Sequence, residues 1–451
     1  MFGRETRSRR QLDAAKKLLE QLAVQLNSRV SVRLWDGTMV PLGEQVDEKL
    51  FLSISGPGVI GSLLRWPTPD NLLKHYANGH LDFHGGDALT VIEALYVRDS
   101  RKRAKKIRKS ALFRTLLPFL FESSKSCVVD HTYQGNVLGR DRKQAENLDF
   151  IQFHYDVSNE FYELFLDKEM VYTCAYFTDW NNSLEQAQFD KLDMICRKLQ
   201  LQPGDTFLDI GFGWGSLLCH AAQHYGVQAH GVTLAENQLQ YTQEKVRRLG
   251  LEDKVTVEIR DYAHLEGKFD KVASIGMYEH VGIDNMNGYM KKVHSLLAKN
   301  GLCLMQGITR PGKATMKQFR KVNTERRLLN KYIFPGGELD HIGHLLQTME
   351  SNGLEVHDVE GWRNHYMHTC RHWCERLYAR REEAIGFVGE EKYRMWMLYL
   401  AGCSLAFKNG GARLYQVLME KHAKKEESCM PPTREHLFAA GVSHDSRRSA
   451  A

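Results

Sequence analysis

Three glycines at alternate positions, Gly211, Gly213 and Gly215, follow the short apolar run Thr206-Phe-Leu-Asp-Ile and precede a segment of helical spacing from Ser216 to about Tyr225. Lacking a Cβ, such residues let a backbone turn sharply and approach a ligand closely. In an open α/β sheet a turn of this kind stands at the carboxyl end of a strand, where ligands bind. Asp209 brings an acid to the same turn. A dinucleotide fingerprint asks for Gly or Ala at its sixth position, and Ser216 stands there instead, which weakens a nicotinamide reading. A second concentration is of charge. Arg101, Lys102, Arg103, Lys105, Lys106, Arg108, Lys109 and Arg114 fall within fourteen residues that contain no acid. The pattern suits a solvated helical linker, and it equally suits an anionic surface. Each Lys or Arg near an acidic bilayer contributes about 1 kcal/mol, and nucleic-acid phosphates would attract the same patch. Nine cysteines without a C-x-x-C pair make neither a disulfide framework nor a structural zinc site, so no metal is expected.

The elements that must position these residues are read from periodicity. Residues 1–100 read as a small α/β unit, with an amphipathic helix near Gln11 to Leu26 and strand-like runs at Val30-Ser-Val-Arg-Leu and Leu50-Phe-Leu-Ser-Ile. From about Asn147 strands and helices alternate. Thr206-Phe-Leu-Asp-Ile, Gln228-Ala-His-Gly-Val-Thr, Val255-Thr-Val-Glu-Ile, Lys271-Val-Ala-Ser-Ile and Gly301-Leu-Cys-Leu-Met-Gln-Gly-Ile are five strands spaced by helices, which implies βαβ units and a parallel sheet. The expected fold is therefore α/β: a Rossmann-like sheet flanked by helices, with a smaller N-terminal α/β domain. The expected divisions are an N-terminal domain over 1–120 carrying the basic segment 101–114, a linker over 121–146, a catalytic domain over 147–422 and a loose tail over 423–451. With 43% apolar and 26% charged residues, no uninterrupted apolar run of about 18 residues, and an opening without an apolar h-region, the expectation is a cytoplasmic protein.

Glycines spaced G-x-G-x-G after a strand carrying Asp209 are similar to the first motif of S-adenosylmethionine-dependent methyltransferases. The surrounding words are more specific. His154-Tyr-Asp-Val-Ser-Asn-Glu-Phe-Tyr-Glu-Leu-Phe-Leu-Asp, Tyr172-Thr-Cys-Ala-Tyr-Phe, Leu208-Asp-Ile-Gly-Phe-Gly-Trp-Gly, Gly231-Val-Thr-Leu-Ala-Glu-Asn-Gln and Gly276-Met-Tyr-Glu-His-Val-Gly stand in one order. Lys331-Tyr-Ile-Phe-Pro-Gly-Gly, His365-Tyr with Trp373, and Tyr399-Leu-Ala-Gly-Cys-Ser-Leu-Ala-Phe follow. Over about residues 147–420 the chain resembles the cyclopropane-fatty-acyl-phospholipid synthases and their mycolic-acid cyclopropane synthase relatives.

That resemblance implies transfer of a methylene carbon from S-adenosylmethionine across a cis double bond of an unsaturated acyl chain in membrane phospholipid. Implied cofactor contacts fall on Tyr172, Thr173, Asp209, Gly211, Gly213, Trp214, Gly215, Thr233, Gln238, Asp261 and Tyr262. Glu236 competes with Gln238 for the ribose. The family also holds a bicarbonate ion as base, and its pocket maps onto Cys174, Glu279, Ile308 and Tyr366. Here the family's histidine is replaced by Gln306, which can donate to an anion but cannot carry positive charge. Cys403 matches a cysteine of the mycolate members and is read as a pocket wall. The implied partners are the phospholipid, an anionic membrane surface on the inner face, and a second copy in a homodimer, with no nucleic acid. Two other readings stand beside this one. C-methylation of the same double bond without ring closure is kept open by Gln306. A non-catalytic lipid carrier is suggested by Trp35-Asp-Gly-Thr and His80-Leu-Asp-Phe-His-Gly-Gly-Asp, which resemble sterol-carrier-like domains.

Overall fold

The computed structural model describes residues 2–95, 115–120, 122, 127–138, 149–150, 157–423 and 426–438. The basic segment 101–114 and the word beginning at His154 lie outside the described residues, apart from the latter's end from Val157. The chain divides into two compact units, one of residues 1–132 with 374–402, the other of 133–373 with 403–451. The segment Cys374–Gly402 thus groups with the first unit, although it lies inside the span 147–422 read from sequence as catalytic.

In the first unit, strands β1 (Ser31–Arg33), β2 (Met39–Pro41), β3 (Phe51–Ile54) and β4 (Leu81–His84) form a sheet in the order β2-β1-β3-β4. The helix Phe2–Leu26 lays Ala14, Ala15 and Leu19 against Val32, Leu34, Val40 and Ile60. Small residues at 14 and 15 let the helix approach the strands closely, and Leu19 one turn later extends the same stripe.

The second unit carries the larger sheet. Its strands are β5 (Thr206–Ile210), β6 (Gln228–Thr233), β7 (Val255–Ile259), β8 (Phe269–Ile275), β9 (Leu297–Thr309), β10 (Glu355–Gly361) and β11 (Arg413–Glu420), in the order β10-β11-β9-β8-β5-β6-β7. The five strands expected from sequence are β5 to β9, and they run parallel. Two more strands join at one edge: β11 lies antiparallel to β9, and β10 antiparallel to β11. Apolar clusters cover both faces. Leu192, Ile195, Leu218 and Ala222 pack on one side with Phe207 and Leu304. Met286, Met290, Val293 and Leu345 pack on the other with Leu208 and Met305. Adjacent residues of one strand therefore enter opposite cores, the signature of a sheet buried on both faces.

Part of the expected tail is held. Ser428 Oγ donates to Glu420 Oε2 at 2.6 Å, and Arg197 donates to the Leu437 carbonyl at 2.5 Å. Met430 packs against the core. In the expected linker, the Tyr133 amide donates to the Lys331 carbonyl at 2.9 Å. Among the described residues no helix is long and apolar enough to cross a membrane.

Candidate active site

The chain proceeds from β5 outward to β6 and β7, then returns to β8 on the other side of β5. At this reversal the loops after β5 and β8 diverge and leave a crevice at the carboxyl ends of the strands. The glycine turn occupies it, and its three members are held for different reasons. A Cβ on Gly211 (φ +81°) would stand 2.5 Å from Met277 Cγ in the loop after β8. One on Gly215 (φ +75°) would stand 2.3 Å from Thr242 Cγ2. Both glycines let the protein close upon itself. Gly213 (φ +57°) has no atom within 4 Å of its Cβ position, so its backbone faces open space that a ligand can enter. Trp214 donates from Nε1 to Asn159 Oδ1 at 2.9 Å, and its ring lies 4.9 Å from that of Tyr162. Tyr172 joins the same aromatic group, 5.3 Å from Tyr162 and 5.2 Å from Trp373.

Asp209 lies beneath the turn, buried, with Oδ1 lacking any hydrogen-bond partner. Burial pushes its pKa up to about 7, opposed by the charge of Lys191. Lys191 is itself buried, which brings it down to about 8, while Asp167, Cys174 and Asp209 act to keep it charged. Its ammonium donates to Thr173 Oγ1 at 3.1 Å. Asp167 holds the preceding turn by accepting the Glu169 and Val171 amides at 3.0 and 2.9 Å. Lys191 and Asp167 escaped the sequence reading. A signal for the lysine was present: in the helix Leu184–Lys198 the stripe Leu184, Gln188, Lys191, Ile195, Lys198 recurs at three and four, placing polar residues at core positions.

At the end of β6 the two ribose candidates differ in burial. Thr233 and Gln238 are both buried, with Thr233 Oγ1 donating to Gln238 Oε1 at 3.1 Å. Glu236 is exposed and accepts from Gln240 at 3.1 Å. Asp261 caps a short turn by accepting the Ala263 amide at 2.9 Å, and Tyr262 packs edge-on against Tyr289 at 4.8 Å.

Glu279 follows β8 in the turn Tyr278–His280 and is 4% exposed. Its Oε1 accepts the Ile308 amide at 2.7 Å from the end of β9, while Oε2 is buried without a partner. Burial pushes its pKa up to about 7 against the opposing pull of that hydrogen bond. The Tyr278 hydroxyl beside it is likewise unpartnered. The Tyr366 hydroxyl is raised well above the ordinary tyrosine range by burial, and Cys174, Tyr172 and Glu279 act on it in the same direction. Those four residues thus share one electrostatic environment. The Tyr366 ring stacks on Phe407 at 4.5 Å. Burial also raises the Cys174 thiol, which donates to the Ala175 carbonyl at 3.2 Å and is therefore neutral.

Gln306 is positioned differently. Opposite Gln416 in the β9–β11 register, its Oε1 accepts from Gln416 Nε2 at 2.8 Å. Gln416 Oε1 accepts from Lys198 at 2.9 Å, and Lys198 meets Glu360 at 2.5 Å and Asp358 at 3.5 Å. Its amide carbonyl is thus committed to a buried polar chain running across β11. Cys403 sits partly exposed in the helical segment Arg381–Lys408, beyond its kink at Gly389.

Residues 142–417 match the model of the mycolic acid cyclopropane synthetase family. A probable fatty acid methyltransferase of Pseudomonas putida is 36% identical over 93% of this chain and all of its own length. The chain belongs to the mycolic acid cyclopropane synthetase family. Cyclopropane mycolic acid synthase 1 of Mycobacterium tuberculosis is 34% identical, matching 60% of this chain and 96% of its own. The crystal structure of the mycolic acid cyclopropane synthase CmaA1 complexed with SAH and CTAB is 32% identical. It aligns with a TM-score of 0.57 over 61% of this chain and 98% of that one. This member of the family is an S-adenosylmethionine-dependent methyltransferase of the cyclopropane synthase type. The lipid-carrier and nicotinamide readings give way to that assignment. The crevice fits the cofactor on its own geometry, through the open face of Gly213 and the unpartnered Asp209 Oδ1.

Proposed function

We propose that the enzyme closes a cyclopropane ring on a cis double bond of an unsaturated acyl chain in membrane phospholipid, at the cytoplasmic membrane face. The observation that carries the reading is the buried Glu279 carboxylate, with one oxygen fixed by Ile308, the other unpartnered, and a pKa near 7. S-adenosylmethionine supplies a methyl carbon made electrophilic by its sulfonium. The alkene donates its π pair to that carbon, the carbon–sulfur bond breaks with its pair left on sulfur, and a cation remains on the acyl chain. Ring closure then needs one proton removed from the new methyl group, the freed C–H pair forming the last ring bond. A carboxylate near neutrality both stabilises the cation and accepts the proton, and Glu279 Oε2 is the atom assigned that role. Tyr366 and Cys174, held neutral, form its walls. Tyr172, Thr173, Asp209, the turn from Gly211 to Gly215, Thr233, Gln238, Asp261 and Tyr262 are the cofactor contacts in this reading.

Cys174, Glu279, Gln306, Ile308 and Tyr366 are the residues that would hold a bicarbonate ion, which would supply an alternative base. The Ile308 amide is already donated to Glu279, which favours direct action by Glu279, while Gln306 accepts from Gln416 through its carbonyl and its amide nitrogen is the donor an anion would use. Gln306 also supports a second reading, methylation that stops short of the ring. The deciding experiment is mass spectrometry of phospholipids from a host expressing the chain and fed methyl-deuterated methionine. A cyclopropane keeps two of three deuterons, because one leaves as the ring closes. A methylene branch keeps two as well, so the isomers are separated by chromatography. Acyl chains without label would overturn both readings.

Membrane contact is assigned to the basic segment 101–114. Replacing Lys102, Arg103, Lys105 and Lys106 by Gln should weaken binding to anionic vesicles by up to about 1 kcal/mol per residue at low salt, and less as salt rises. Unchanged sedimentation would leave the segment a linker. The homodimer belongs to the same proposal and is read by sedimentation equilibrium.

A further inference from the structure

The first unit contains a group of side chains that the methyl-transfer chemistry does not use. The helix Pro69–Ala77 stops at Asn78 and Gly79, where Gly79 adopts φ +69°. The Gly79 amide donates to the Tyr76 carbonyl at 3.0 Å and the His80 amide to the His75 carbonyl at 2.9 Å. This is the paired 5→2 and 6→1 bonding of a Schellman stop, which brings the side chains three residues before the cap and two after it into contact. An apolar pair usually fills those positions; here both are histidines. Their Nδ1 atoms stand 3.3 Å apart, and Cys127 Sγ stands 3.3 Å from each.

We infer that His75, His80 and Cys127 form a binding site for a zinc-type divalent cation. Donors at about 2.0–2.3 Å from a tetrahedral zinc lie about 3.3–3.8 Å from one another, so an equilateral triangle of 3.3 Å matches one face of that tetrahedron. Two imidazole nitrogens and one thiolate suit zinc or cobalt and not magnesium or calcium, which take oxygen ligands. The triangle is held by bonds other than its own. Asn78 Nδ2 donates both to the Lys74 carbonyl at the helix end and to the Val128 carbonyl next to Cys127, at 2.9 and 3.0 Å. The Thr132 hydroxyl donates to the Val129 carbonyl at 2.7 Å and steadies the same strand of chain. Without a cation the triangle closes through N–H and S–H protons, so cation binding displaces the thiol proton to solvent. Three protein ligands leave a fourth position for water or an incoming donor.

The test uses the full chain, stripped with a chelator and titrated with cobalt(II). The expected result is about one equivalent bound, with the near-ultraviolet thiolate-to-cobalt band and the visible bands of a four-coordinate ion, bleached on adding zinc. Cys127→Ser and His80→Gln should each weaken binding by about 100-fold or more and remove the thiolate band or distort the visible ones, while Cys429→Ser should leave both unchanged. A second measurement needs no variant. Zinc should slow alkylation of Cys127 by iodoacetamide at least about tenfold, mapped by peptide mass, with Cys429 unaffected. Absence of a thiolate band, a band that survives in Cys127→Ser, or unchanged alkylation of Cys127 would overturn the assignment.

Discussion

Asp209 and Glu279 are two carboxylates at the ends of neighbouring strands, each buried, each with one unpartnered oxygen, and each pushed up to about 7. What separates them is the company they keep. Asp209 faces a buried lysine that opposes its rise, with Lys191 also bonded to Thr173. Glu279 has an amide at 2.7 Å and the neutral hydroxyls of Tyr278 and Tyr366 in its vicinity. Both titrate near 7, but an ionised carboxylate with a cation beside it is paired. One supported only by neutral dipoles passes a proton at little cost near pH 7, which is what a general base requires. Similar burial therefore leaves two acids that differ in the charge beside them.

The largest expected effect follows from removing the charge at Glu279. Glu279→Gln keeps volume and the Ile308 contact but should lower turnover about 10²–10⁴-fold, the usual contribution of a positioned base. S-adenosylmethionine affinity, measured by calorimetry, should stay nearly the same, because Asp209 is untouched. A folded variant that turns over within a few-fold of wild type would reduce Glu279 to the level of a structural acid. Adding bicarbonate to degassed wild-type enzyme sharpens the point: indifference supports direct proton transfer to Glu279, and stimulation supports a bound ion.

The Asp209 side of the comparison is broken by Lys191→Met. Asp209 has a folded pKa above its unfolded value, so its contribution to stability is fully present below about pH 4 and is lost as pH rises toward 7. Without Lys191 its pKa climbs further and that loss continues above pH 7, whereas in wild type it ends there. Wild type also gains stability above about pH 8, because the folded chain releases the Lys191 proton before the unfolded chain does. The urea midpoints of variant and wild type should diverge above pH 7, by at least about 1.4 kcal/mol per pH unit. Curves that stay parallel between about pH 7 and 8, below the range where Lys191 loses its own proton, would show that the two groups do not interact.

A smaller effect reads Glu279 through the pH profiles of wild type and variant together. Glu279 must be ionised to accept a proton, so kcat should fall about tenfold per unit below pH 7, with an acid limb near its pKa of about 7. The residual activity of Glu279→Gln should lack that limb. A wild-type limb near the ordinary glutamate value would place the proton transfer on another group.

Legibility in the sequence followed how local each signal was. The strands β5 to β9 were readable because their runs are apolar and bounded by turns, and the glycine turn because backbone constraints leave few other residues there. The edge strand β10 and its neighbour β11 were not read. In β10, Glu355-Val-His-Asp-Val-Glu-Gly carries acids at 355, 358 and 360 and is only half buried, so the run resembles a loop. Glu279 was legible through a family word, and no local pattern distinguishes it from a turn acid. The partner of the Gln306 carbonyl was illegible altogether, because it is Gln416, 110 residues away on an antiparallel strand. The His75 and His80 pair had a local signal in the Asn78-Gly79 stop, whereas Cys127 reaches it only through tertiary folding.

The smallest expected effect concerns the two cysteines read from sequence, and it extends the same comparison to groups that need carry no charge. Cys174 is enclosed, its thiol raised by burial and donating to a backbone carbonyl, so it cannot act as a thiolate beside Glu279. Cys403 lies in the helical stretch that follows the kink at Gly389, more than about three turns past its N-terminal end, the end that would favour a thiolate. Every bond made and broken in methyl transfer and ring closure is accounted for by the alkene, the departing sulfur and a proton acceptor, with no electron pair left for a sulfur nucleophile to provide. Cys403→Ser conserves size and should therefore change kcat/KM by less than about fivefold, under 1 kcal/mol, through a slightly more polar wall. If the serine variant instead lost more than about 100-fold in kcat with cofactor affinity intact, a covalent step would be required. Glu279 would then be its base, and the contrast with Asp209 would have to be redrawn around a thiol.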